Sequence, residues 1–220
     1  DRRRDRIRDT GTDNHYINYD GEELTAAGGF GIPWWLQRSG EGTLDSWDRL
    51  TRLRVSETAG EHFTLQSLAP QSPVSAPWFD AGLLMKNSKT TGLYRFGLID
   101  MREGDFEAAI VADPTDQLGS GITNRFVVVH RNRKHGIDEV RDSGLPLDEA
   151  YHHFGVHLSH RRIDWIVDGR LLHEVTDASP GAAGPMMQVK SVGRPAELQL
   201  IGKCRFRFYP RGPYNPANYP

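Results

Sequence analysis

Apolar and polar residues alternate with period two along most of the chain, and no segment sustains the 3.6-residue apolar stripe of a helix. The clearest stretch is Tyr151 to Val175, YHHFGVHLSHRRIDWIVDGRLLHEV. It predicts three short strands. In the first, Phe154, Val156 and Leu158 face one side and His153, Gly155 and His157 the other, because successive strand side chains point to opposite faces. Ser159-His160-Arg161-Arg162 is a polar turn, Ile163 to Val167 the second strand and Leu171 to Val175 the third. Asp168-Gly169 between them is a two-residue hairpin turn whose central residues accept positive φ.

The same alternation predicts strands at 15–19, 50–55, 62–68, 79–86, 93–101, 105–112, 125–131, 186–192 and 198–209. Within Asp105 to Ala112, Phe106, Ala108 and Ile110 share one face, and Asp105, Glu107, Ala109 and Val111 the other. Cys204, Phe206 and Phe208 point inward on the last strand, with Lys203, Arg205 and Arg207 outward. Residues 134–147 read as loop, and Leu147 to Ala150 as a helical turn. Ten or so strands without helices or repeats predict an all-β fold, a two-sheet antiparallel sandwich. It forms one domain over 1–220, with a charged arm at 1–12 and an extended Pro/Tyr tail at 210–220.

Composition narrows the function classes. The 220 residues are 37% hydrophobic and 25% charged, which suits a folded globular chain. A net charge of −2 argues against a nucleic-acid partner. The arm DRRRDRIRD interleaves acids with its bases and reads as a solvated segment. No apolar run reaches the roughly 18 to 20 residues of a membrane span, so no membrane partner is expected. Cys204 is the single cysteine, which precludes an intrachain disulfide and fits either the cytoplasm or a secreted bacterial protein. No signal peptide is visible, and oligomeric state is not readable.

The stretch Tyr151-His152-His153-Phe154, followed by Ile163, Trp165, Val167, Asp168 and Gly169, resembles the F-H-T-Y and I-x-W-x-V-D-G strands of glycoside hydrolase family 16, the lichenases and laminarinases. Leu158 stands where that family usually has Trp. Gly184 to Val189 and Arg205 to Tyr209 resemble its C-terminal strands, so the likeness covers about the last 70 residues. It implies a concanavalin-like jelly roll with a concave face and a carbohydrate or other small-molecule ligand.

Family 16 carries catalysis on E-x-D-x-E, and Glu103-Gly104-Asp105-Phe106-Glu107 has that spacing. The resemblance would make Glu103 the nucleophile, Asp105 its partner and Glu107 the acid/base of a retaining mechanism, which needs carboxyl groups about 5–5.5 Å apart. Residues four apart on a strand are roughly 13 Å apart at Cα, so the side chains would have to converge across Asp105. The same residues also read as an ordinary polar hairpin turn with Glu103 exposed. Gly104 replaces the large apolar residue usual there, and flanking tryptophans are missing.

Other residues offer binding chemistry. Trp34 and Trp35 suit either sugar stacking or the core. His153 and His157 share a strand face, and with His130 on a neighbouring strand they could contact substrate. A zinc site would need three or four converging ligands. No cofactor is expected; a structural calcium ion near Asp113-Pro114-Thr115-Asp116 stays open. Three readings follow: a retaining β-glucan-type hydrolase, a non-catalytic glycan-binding module, or a small-molecule cyclase or isomerase on the same scaffold.

Overall fold

Strands account for nearly all regular structure because the period-two pattern lets each bury one face against a second layer. The computed structural model describes residues 14–18, 24–26, 33–47, 50–67, 72–73, 76–100 and 105–207. Sheet A has eight strands in the order β1 (Asn14–Asn18), β3 (Pro33–Ser39), β6 (His62–Ser67), β15 (Gly184–Ser191), β8 (Gly92–Ile99), β9 (Phe106–Ala112), β10 (Arg125–Asn132) and β11 (Ile137–Pro146). Sheet B runs β14 (Arg170–Thr176), β13 (Arg162–Val167), β12 (Tyr151–Leu158), β7 (Trp78–Lys86), β16 (Ala196–Arg207), β5 (Leu50–Val55) and β4 (Thr43–Trp47). A short β2 (Leu24–Ala26) joins β16 in parallel, and the other pairings are antiparallel. The fold is the two-sheet jelly roll expected. The arm at 1–12 and the tail at 210–220 lie outside the described residues.

The core lies between the sheets. Phe63, Phe79, Phe96, Phe106, Phe126, Phe154, Trp165 and Phe206 are buried there, with Phe79 stacked on Phe96 at 4.4 Å between ring centroids. Each such side chain contributes about 1.5–3 kcal/mol by leaving water. The strongest sequence signal holds in detail: Asp168 and Gly169 take φ of 50° and 73°, and β12, β13 and β14 pair as a meander.

Two expectations are corrected. Residues 137–146 are a strand, not a loop. β11 lies at the edge of sheet A, where one flank meets solvent and charged side chains are tolerated, so IDEVRDSGLP shows no clean alternation. Residues 147–150 form no helical turn; Asp148 instead accepts the backbone N–H of Ala150 at 3.0 Å, and Glu149 has φ of 59°.

β9 is buried on both faces. Its second face, with Leu93, Val127 and Val129, forms a smaller apolar cluster under Leu118 and Ile122 of the loop after β9. Asp113 organises that loop: it is fully buried, and its two carboxylate oxygens accept the N–H groups of Gln117 (2.9 Å) and Leu118 (2.7 Å).

Candidate functional site on the outer face of sheet A

Register decides which side chains share the face of sheet A that points away from the core. Glu107 on β9 lies opposite Arg131 on β10 and Ile99 on β8. Because Phe106 and Ala108 point into the core, Glu107 points out. Its Oε1 is 3.3 Å from Arg95 Nη1 and its Oε2 is 3.1 Å from Arg131 Nη1. Arg131 also reaches Asp138 at 2.8 Å. One strand further, Gln188 pairs in register with Arg95 and donates to Thr64 Oγ1 at 2.7 Å. A buried carboxylate between two partly exposed guanidiniums thus sits beside an amide–hydroxyl pair. Such planar donor and acceptor groups suit bidentate contacts to a polar ligand.

The three expected carboxylates differ in where they stand relative to this centre. Glu107 is within it. Asp105 immediately precedes the same strand, 3.6 Å from Lys134 Nζ. Glu103 lies outside the described residues. Trp34 and Trp35 are on β3, paired in register with Ser67 and Gln66 of β6; their side chains are not among those described. Arg95 and Arg131 were not singled out from sequence. Their part depends on pairing between β8, β9 and β10, and the alternation of LYRFGLIDM and RFVVVHR was the only trace of it.

The histidines divide among three places. His153 and His157 lie on the outer face of sheet B, where β12 is flanked by β7 and β13. His153 Nε2 is 3.3 Å from Asp80 Oδ2. His157 is fully buried, with Nδ1 3.3 Å from Asp164 Oδ2 and its ring 5.1 Å from that of Trp78. Asp164 is held in turn by Arg162 at 2.6 Å. His130 belongs to the other sheet and points to the opposite face, so it is not a neighbour of His153 and His157 as expected. His152 spends both ring nitrogens on Asp168 (2.6 Å) and Asp148 (3.0 Å). Among the described residues, no three His, Cys, Asp or Glu side chains converge as a metal site would require.

No protein-family model and no curated protein sequence matches the chain. Solved structures do. A sialidase superposes with a TM-score of 0.56 at 12% identity over 79% of this chain, which spans 16% of that enzyme's length. A native glycosidic hydrolase gives 0.54 at 12% identity, covering 93% of this chain and 92% of the other. The carbohydrate-binding module CBM66 from Bacillus subtilis gives 0.50 at 13% identity, covering 78% and 94%. At such identities the likeness is one of fold, and the fold shared is the concanavalin-like jelly roll.

Proposed function

We propose that this protein is carbohydrate-directed and that the outer face of sheet A holds a glycan without cleaving it. The observation that supports this reading is the Arg95–Glu107–Arg131 centre beside Gln188 and Thr64. Sugar hydroxyls come in adjacent pairs that both donate and accept, and planar amide and guanidinium groups meet two at once. Both oxygens of Glu107 already have cationic partners, so it must leave one of them to reach a leaving group. Jelly rolls that bind or cleave sugars carry the same architecture, which agrees with the reading.

The test is gel retardation on a β-glucan panel with reducing-sugar release assayed in parallel. Retardation without product, lost in Arg95→Ala and Arg131→Ala, is the expected result. No retardation on any glycan would overturn it.

Retaining hydrolysis by Glu103, Asp105 and Glu107 is the second reading. One observation favours it: Glu107 points away from the core, as an acid/base must. Product release abolished by Glu103→Gln and by Glu107→Gln would establish that reading instead.

A further inference from the structure

At one edge of the sandwich the two sheets part, and β11 faces β14 across a cavity of about 350 Å³. His130, Ile137, Glu139, Arg141, His173 and Ala178 line it. His130 is 4% exposed, yet neither ring nitrogen has a hydrogen-bond partner among the described residues. The adjacent Trp165 is fully buried with its indole N–H likewise unpartnered. Its ring centroid lies 6.3 Å from that of His130 and 5.6 Å from that of His173. Buried polar groups are almost always paired in folded proteins, so unpaired groups at the wall of a cavity mark a place for a partner.

The rim indicates what kind of partner. Glu139 is 3.0 Å from Arg141, Glu174 is 2.6 Å from Arg162, and Asp177 is 4.0 Å from Arg161. Each rim carboxylate has a guanidinium beside it, so the rim does not select an ion. Burial holds the His130 and His173 imidazoles toward the neutral form, with the Arg141 charge adding to this at His173. A neutral imidazole has one donor and one acceptor nitrogen. A hydroxyl group can answer either. The volume is at the low end of the roughly 300–1,000 Å³ usual for small-molecule sites. A wider opening of about 600 Å³ shares His135, Asp177, Ala178 and Ser179 with the cavity and continues past His160 and Arg161. It leaves room for further units attached to a bound ring.

We infer that this edge cavity is a second binding site, for one neutral sugar ring, with His130 as its floor. It stands apart from the sheet A reading, being on the other face of β10.

The test follows the side-chain imidazole signals of His130 and His173 by NMR. The probes are glucose, galactose, mannose and fructose, with glucuronate and glucosamine as charged controls. At least one neutral sugar should shift both signals saturably. His130→Phe, which keeps the ring shape and removes both nitrogens, should weaken binding at least about tenfold. Ile137→Trp fills the cavity from its half-exposed wall and should do the same, and it decides the matter alone if His130→Phe does not fold. Arg131→Ala should leave the shifts in place.

Three outcomes would overturn the site: no neutral sugar moves the His130 signal, so the cavity holds water only; a charged control binds at least as tightly; or the shifts vanish in Arg131→Ala and survive in Ile137→Trp. An oligosaccharide that binds as well as its free terminal sugar supports a chain-end site, whereas binding of the free sugar alone supports a monosaccharide site. Either upholds the inference.

Discussion

His152 ties the strand β12 to two carboxylates, and its titration is the most direct measure of that knot. Burial alone would favour the neutral ring, but the hydrogen bonds and charges of Asp168 and Asp148 outweigh it and raise the pKa above 6.5. The folded state therefore binds this proton more tightly than the unfolded chain. Its stabilisation is fully present below 6.5 and is lost as pH rises through the folded-state value. His130 and His173 have lowered values, so each subtracts stability as pH falls below 6.5 toward its own folded value. An imidazole titration by NMR should place His152 above 6.5 and the other two below it. His152→Leu should cost about 1 kcal/mol in urea unfolding near pH 6 and less near pH 8.5; an equal cost at both would refute the pairing. Glu107 is a second residue-scale test. Glu107→Ala leaves Arg95 and Arg131 without their shared anion in a partly buried place and should cost about 2–3 kcal/mol, whereas Asp105→Ala, beside the exposed Lys134, should cost under about 1 kcal/mol.

Within elements, the β13–β14 hairpin and β8 make opposite demands on a single residue. Asp168 holds positive φ and uses its carboxylate twice, on the His153 N–H at 2.8 Å and on His152 at 2.6 Å. Asp168→Ala removes both contacts and should lower stability by about 2 kcal/mol, with the loss smaller when His152 is already Leu. Additive losses in that double mutant would mean the two residues do not act together. Gly97 is required for space and not for φ. A Cβ there would sit 2.2 Å from the Ala108 carbonyl oxygen and 2.6 Å from the Ala109 Cα, both backbone atoms of the neighbouring strand. Gly97→Ala should therefore cost about 1–3 kcal/mol or more by pushing β8 from β9, read as a lower thermal midpoint.

On the scale of the whole molecule, the loop after β9 covers part of the outer face of sheet A. Leu118 and Ile122 cover Leu93, Ala109, Val111, Val127 and Val129. Asp113→Ala would free the loop from its two backbone contacts and expose that cluster. The expected result is rapid proteolytic cleavage between 113 and 124 and a loss of about 2–4 kcal/mol, with the β12–β14 meander still protected from hydrogen exchange. Unchanged proteolysis would mean that apolar packing alone holds the loop.

Local pattern was enough for most strands, because a strand buried on one face must alternate, and Asp168-Gly169 announces its own turn. Pattern failed at two of the edge strands, β4 and β11, which carry charges that an unpaired flank permits. Residues 113–121 carry the Asp, Pro, Ser and Gly of a loop, but nothing in DPTDQLGSG shows that it folds back over the sheet. The E-x-D-x-E spacing was legible, and so was the strand face that Glu107 shares with Asp105. That Arg95 and Arg131 grip it was not, since those partners lie 12 and 24 residues away and meet it only through strand order. His130 shows the same limit more sharply. Its strand was plain, yet alternation does not say which layer faces it. The sequence by itself determined the sandwich and the faces of its strands. Only the tertiary structure decided which face is covered, which carboxylate is paired and which histidine opens on a cavity, because each depends on contacts between strands far apart in the chain.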